Sequence, residues 1–245
     1  MQEQWVIGIH AVRELLQQGS EVKRLCVQAD RKDLRVEELL TLAETAGVPV
    51  ERISRREIDR LGDGRHQGVA ARVTFSRSTL QEQDLRALLE KLDRDPLLLV
   101  LDEVTDPHNL GACLRCADAA GADAVIVPKD RSAPLNMTVR KVASGAAETV
   151  PLVAVTNLSR TLQELKDRRI WLCGTAGEAD KSLYEQDLTG PLALVMGSEG
   201  KGLRRLTQEN CDFLVAIPMA GAVSSLNVSV AAGVCLFEAV RQRTV

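Results

Sequence analysis

The sequence predicts an α/β protein in two parts, a parallel-sheet layer domain over 96–245 and a smaller α/β unit over 1–75, joined by a linker at 76–95. Three observations carry this expectation. Past Pro96, the near-continuous apolar runs LLLVLD, AVIV, PLVAV, IWLCG, LALVMG and FLVAIP are separated by helical stretches, as expected of parallel strands covered by helices on both faces. Before Phe75 the elements are shorter and mixed. Between the two parts, FSRSTLQEQDLRALLEKLDRDP begins polar and runs into a short charged helix ending at Pro96. A length of 245 residues suits one large domain or two modest ones.

In chain order, IHAVRELLQ has the spacing of a short amphipathic helix, VKRLCV reads as a strand, and RVEELLTLAETAG as a helix closed by Gly47. VPVERIS and GVAARVTF supply two more strands. In the larger domain the strands end repeatedly in loops containing glycine, asparagine or serine. Ligands of open α/β sheets sit at the carboxyl ends of strands, so the chemistry is expected in those loops.

Composition excludes several classes. Hydrophobic residues are 45% and charged residues 27%, typical of globular chains and unlike disordered or fibrous ones. No apolar run approaches the roughly 20 residues of a bilayer crossing, and MQEQWVIGIH lacks a basic, then apolar, leader pattern, so a cytoplasmic protein without a membrane partner is expected. Six cysteines at irregular spacing argue for reduced thiols rather than a disulfide framework. With a net charge of −3, any nucleic acid must be held by a local patch, and 2% aromatics leave little for base stacking. Candidate patches are KDRSAPLNMTVRK, with Lys129, Arg131, Arg140 and Lys141, and RISRREIDRLGDGRHQ, with Arg52, Arg55, Arg56, Arg60 and Arg65.

Three segments stand out. In DEVTDPHNLGACLRCADAAGA (102–122), Asp106 or Asn109 can cap a helix and Leu110, Leu114 and Ala117 form its apolar stripe, but Arg115 lies off that stripe and can face a phosphate or carboxylate. Cys113 and Cys116 form a CxxC with no second metal pair, so packing is expected and no metal. LALVMGSEGKGLRRL (192–206) runs from strand into a glycine-rich loop, yet fits neither the P-loop nor the dinucleotide pattern. Its glycines imply unusual dihedrals or close approach of a ligand, with Glu199 held at the strand end. In LVAIPMAGAVSSLNVSVAAGVCLFEAVRQR (214–243), Ser224 or Ser225 can cap the last helix, and Ser225 and Asn227 add neutral hydrogen-bonding groups that call for a polar partner.

These segments, NLGACLR, VMGSEGKG and IPMAGAVSSLNVSVA, resemble in order and spacing the three motifs of the TrmH/SpoU family of RNA ribose 2′-O-methyltransferases, in the SPOUT class. GIHAVRELL and HQGVAARV resemble the family's small L30e-like RNA-binding domain, so the likeness covers nearly the whole chain. It implies a SPOUT-type parallel sheet whose chain, from about Leu192 onward, threads a deep C-terminal trefoil knot. It also implies S-adenosyl-L-methionine bound in that knot, through Gly197, Ile217 and Leu226, with Met219, Thr175 and Gly177 as further candidates. The catalytic set implied is Arg115, Asn109, Glu199, Ser225 and Asn227.

The expected reaction is methylation of the ribose 2′-hydroxyl of a guanosine in 23S rRNA, free or in a ribosome assembly intermediate, by a homodimer with no DNA partner. A tRNA or another rRNA site is the alternative target. A non-catalytic RNA-binding module is the rival from another class, and the intact Asn109, Arg115, Glu199 and Asn227 count against it. An arginine is a poor base, so Arg115 is expected to hold an RNA phosphate and stabilise the developing alkoxide.

Overall fold

The computed structural model describes residues 2–17, 21–31, 33–62, 66–75, 79–198 and 200–244. The chain divides into two compact units, 1–78 and 79–245.

In the first unit, β1 (Gln2–Ile7), α1 (Ile9–Gln17), β2 (Val22–Gln28), α2 (Leu34–Thr45), β3 (Val50–Ile53), α3 (Arg55–Ile58) and β4 (Val69–Phe75) build a four-stranded sheet in the order β1-β4-β2-β3. The helices follow from their apolar spacing: Val12, Leu15 and Leu16 of α1 and Val36, Leu39 and Ala43 of α2 are buried. β1 was not legible as a strand. Its Gln-rich start hides the pattern, and its state is set by antiparallel pairing with β4, where Val6 lies opposite Ala71. α3 is a single turn opened by Ser54, whose hydroxyl accepts from Glu57 N–H while the Glu57 carboxylate accepts from Ser54 N–H, a capping box.

The second unit contains α4 (Glu82–Lys91), β5 (Leu97–Leu101), α5 (Pro107–Ala119), β6 (Ala124–Pro128), α6 (Met137–Ala143), α7 (Ala146–Thr149), β7 (Leu152–Val155), α8 (Leu158–Asp167), β8 (Trp171–Thr175), β9 (Leu192–Met196), α9 (Arg205–Asn210), β10 (Phe213–Val215) and α10 (Val228–Arg243). The six apolar runs become one sheet, ordered β10-β8-β9-β5-β6-β7, with parallel pairing throughout. Alternate side chains divide between its two faces. Leu97, Leu99, Leu101, Leu192 and Leu194 join a core with α5, α6 and α10, while Leu98, Val100, Ala193 and Val195 join another with α4 and α8.

The structure corrects the linker expectation. Leu80 pairs with β7, its N–H donating to Leu152 O at 2.8 Å, and Leu85 of α4 is buried against the sheet. Arg86 makes a two-pronged ion pair with Glu164 of α8 at 2.9 Å. The helix that reads as charged and solvated therefore hides one apolar side, and the boundary between the units falls at 78/79. At the far end, Gln242 accepts from Leu188 N–H and donates to Gln186 O, tying the last turn of α10 to the loop that leads into β9.

Candidate active site

The loops leaving β8, β9 and β10 and the start of α10 enclose a cavity of about 830 Å³, lined by Thr175, Gly177, Gly197, Ile217, Met219 and Leu226 among others. All six residues singled out for the cofactor thus meet on one wall system, with Ser225 and Asn227 beside them. The volume suits a small-molecule site, and Met196, Leu203 and Val215 add apolar surface next to strand-end backbone. Glu178 and Lys201 contribute one charge of each sign. Thr175 has its hydroxyl turned to Val195 O at 3.4 Å. An apolar plane with a polar, zwitterionic tail, as in S-adenosylmethionine, fits this mixture.

Of the two causes expected for the glycine-rich loop, the structure displays unusual dihedrals, together with close approach of the loop's own backbone. A Cβ on Gly197 would stand 2.1 Å from the carbonyl carbon of Gly202. The loop closes on itself, with Ser198 N–H donating to Gly202 O at 3.1 Å and Gly202 N–H returning to Ser198 O at 3.0 Å. Gly200 has φ +75°, which a residue with a Cβ rarely adopts. Glu199 lies outside the described residues.

Asn109 and Asn227, 118 positions apart, are brought into contact: Asn227 Nδ2 donates to Asn109 Oδ1 at 2.9 Å. Asn109 is buried in the first turns of α5, whose cap is Asp106, accepting from His108 N–H at 2.9 Å. Asn227 also caps α10, its Oδ1 accepting from Ser229 N–H at 2.9 Å. This corrects the expectation of a Ser224 or Ser225 cap; both serines lie in the exposed loop before it and line the cavity.

Arg115 is not brought to this pair. It is exposed on α5 and lines neither the cavity above nor the second one described below. Its neighbours in the CxxC do pack. Burial pushes the Cys113 thiol up to about 12, and Cys116 Sγ lies against α10, 3.8 Å from Ser229 O. Among the described residues no group of three or more His, Cys, Asp or Glu could hold a metal ion.

A second cavity of about 560 Å³ adjoins the first and shares Ser198, Lys201 and Val228 with it. Asn109 forms part of its wall, with Glu103 and Asp106 after β5 and Asp130 and Arg131 after β6. Beneath lies a charged network that sequence reasoning missed. The Asp102 side chain, 0% exposed, accepts from Arg204 Nε at 2.8 Å and from Arg204 Nη2 at 2.6 Å, and this bond raises Arg204 above the usual guanidinium range. Glu103, at φ +63°, pairs with Arg131 at 2.7 Å and Arg204 at 3.5 Å. The one sequence signal was the carboxylate closing the apolar run LLLVLD.

Of the basic patch expected over 129–141, Lys129, Arg131 and Lys141 are exposed, and Arg140 is withdrawn from it. Arg140 is turned inward onto Glu148, and burial pulls it below the usual guanidinium range. In the first unit Arg55, Arg56 and Arg60 are exposed, Arg52 donates to Ala29 O at 3.4 Å, and Arg65 lies outside the described residues.

Comparison with known proteins agrees with this architecture. The SpoU rRNA Methylase family matches residues 96–237, and a domain described as RNA 2′-O ribose methyltransferase substrate binding matches 5–79. A protein of Pseudomonas aeruginosa named 23S rRNA (guanosine-2′-O-)-methyltransferase RlmB is 62% identical over 244 residues, covering 98% of each chain. Its namesake in Escherichia coli K12 is 58% identical, again over 98% of each. The crystal structure of the SpoU methyltransferase AviRb from Streptomyces viridochromogenes, in complex with the cofactor AdoMet, superposes with a TM-score of 0.68 at 29% identity, over 99% of this chain and 91% of that one. With a parallel sheet whose strand-end loops enclose a cofactor-sized cavity, and with these matches along nearly its whole length, this chain belongs to the SpoU rRNA methylase family, S-adenosylmethionine-dependent RNA methyltransferases of the SPOUT fold.

Proposed function

We propose that this chain methylates the ribose 2′-hydroxyl of a guanosine in 23S rRNA, the reaction named for its relatives at 58–62% identity. The observation that carries the reading is the meeting of two cavities at the Asn109–Asn227 pair, one suited to a methyl donor and the other open to a nucleotide. Gly197, Ile217 and Leu226 hold the cofactor through their main chain, with Thr175, Gly177 and Met219 beside them. Bound there, S-adenosylmethionine supplies a methyl group on a sulfonium, already activated for in-line displacement.

The chain's own task is alignment and charge. Asn109 and Asn227 fix the ribose at the border between the cavities, and Ser225 hydrogen-bonds from the rim. Arg115 holds an RNA phosphate and offsets the charge that develops on the attacking oxygen. Glu199 belongs to the same catalytic set in this reading, hydrogen-bonding substrate or the arginine.

The active form in this reading is a homodimer. Val230 and Phe237, seven residues apart on α10, are 52% and 49% exposed and form the apolar stripe that a second copy would cover. Arg115 is carried by α5, the helix packed alongside α10, so a partner seated there adjoins it. The knot remains part of the proposal. Its support is that Ala216, just after β10, lies between Lys181 O and Leu183 N–H at 2.9 and 2.8 Å, against the loop joining β8 to β9. Residues 1–75 supply RNA binding and target choice. Among the described residues no helix is long and apolar enough to cross a membrane, in keeping with action on rRNA or an assembling subunit in the cytoplasm.

Mapping 2′-O-methylation in RNA from cells with and without the protein tests this. One 2′-O-methylguanosine of 23S rRNA should disappear and return with the purified enzyme and S-adenosylmethionine. Loss of a tRNA methylation instead, or an unchanged map, refutes the target.

A further inference from the structure

The nucleotide cavity contains one carboxylate that the chain itself leaves idle. Asp106 is occupied in capping α5, and Glu103 is paired with Arg131 and Arg204. Asp102 is sealed beneath on Arg204. Asp130, at the turn leaving β6, is exposed, lines the cavity and has no hydrogen-bond or ion-pair partner among the described residues. Arg131 and Lys201 stand on the same wall, so the cavity carries both signs of charge, as expected where a base and a phosphate enter together.

Position follows from the sheet. β5 lies between β9 and β6, so the loop after β9, which walls the donor cavity, and the turn carrying Asp130 are two strands apart, roughly 10 Å at the usual spacing. That is the scale of a nucleoside laid across the strand ends, with its 2′-oxygen at the Asn109–Asn227 border and the far edge of its base over β6.

Base chemistry then selects the occupant. Guanine alone presents two adjacent donors, N1–H and the N2 amino group, on its Watson–Crick edge, the pattern a carboxylate accepts with both oxygens. Adenine and cytosine place an acceptor beside their amino group, and uracil flanks its single N–H with two carbonyls, so each would set a lone pair against the carboxylate. We propose that Asp130 reads the target guanine by accepting from N1–H and N2–H, and so makes the enzyme guanosine-specific. This deepens the function proposed above and rests on it.

The test uses the full-length protein and three RNA fragments that differ only at the target, carrying guanosine, inosine (which lacks the N2 amino group) or adenosine. In single-turnover assays the wild type should methylate guanosine about tenfold or more faster than inosine, the usual worth of a two-pronged base contact. Asp130→Ala should treat guanosine and inosine alike, and Asp130→Asn, with one acceptor and one donor, should gain on adenosine relative to guanosine. Calorimetric affinity for S-adenosylmethionine should match the wild type in both variants.

Retained preference for guanosine over inosine in Asp130→Ala overturns the proposal, as does a wild type that does not distinguish the two bases. Loss of cofactor affinity in the variants counts the residue as structural and overturns it too. A wild type that methylates no RNA guanosine removes the function itself, an outcome visible before any variant is made.

Discussion

Replacing Gly197 by alanine should disable cofactor binding through a clash that can be measured in advance. The added Cβ would lie 2.1 Å from the carbonyl carbon of Gly202, 2.3 Å from its oxygen and 2.3 Å from Leu203 N. Comfortable carbon contacts begin at about 3.5 Å, so the 202–203 backbone must retreat by more than ~1 Å. Every atom in the way is main chain, and no side chain can rotate aside. That retreat breaks the reciprocal Ser198–Gly202 pair, whose bonds are now 3.0 and 3.1 Å, at about 1 kcal/mol each. Over-packing adds about 1–3 kcal/mol.

Since this loop walls the cavity proposed for the methyl donor, a distortion of about 3 kcal/mol corresponds to a loss of roughly a hundredfold in S-adenosylmethionine affinity. Gly200→Ala is the control. Its Cβ meets nothing within 4 Å, and only the φ of +75° resists, at about 1–2 kcal/mol. Calorimetric titration of both variants decides the matter. If Gly197→Ala binds the cofactor within about threefold of the wild type, or if Gly200→Ala proves the more damaging, the closed-loop reasoning is refuted.

Four further outcomes are expected. Arg204→Ala leaves the fully buried Asp102 carboxylate without its partner and should cost about 3 kcal/mol in denaturant unfolding of the second unit, with part of the loss recovered when Asp102→Asn is added; a cost under about 1 kcal/mol contradicts this. Arg115→Ala should preserve fold and cofactor affinity while slowing single-turnover methylation about a hundredfold, whereas an unchanged rate would leave Arg115 a solvated helix residue. A fragment starting at Thr79 should bind S-adenosylmethionine yet methylate RNA poorly, and one starting at Pro96 should be less stable by about 2–3 kcal/mol for want of Leu85; equal stability would return α4 to the status of a linker.

Hydrogen bonds from Arg241 and Gln242 push Glu238 down to about 2 from its ordinary 4.5, so its stabilisation is present above pH 4.5 and is lost as pH falls toward 2. Glu238→Gln should flatten that acid limb, and an acid limb of unchanged steepness would assign the loss to other carboxylates.

The apolar runs LLLVL, AVIVP and LALVM were legible as buried parallel strands because neighbouring residues along each strand face opposite sides of the sheet and both sides are covered. The cap at Asp106 and the spacing of α1 were equally local facts, readable within a few residues. Sequence periodicity could not reveal β1, whose strand character is conferred by β4 some 65 positions later, nor the side of α4 that buries Leu85. Arg140 looked like surface charge because Glu148 reaches it only once α6 and α7 fold against each other.

By itself, then, the sequence determined the α/β class and the strand-end loops, since each is written in short-range spacing, and the resemblance of its three motifs to the family named the residues that line the larger cavity. Only the tertiary structure decided which of those residues meet. The order β9-β5-β6, with α10 laid along α5, brings Asn227 to Asn109 across 118 positions, sets Asp130 on the wall of the cavity that Asn109 also lines, seals Asp102 under Arg204 and leaves Arg115 on the outer surface. Such juxtapositions depend on the packing of whole elements, and no local periodicity encodes them.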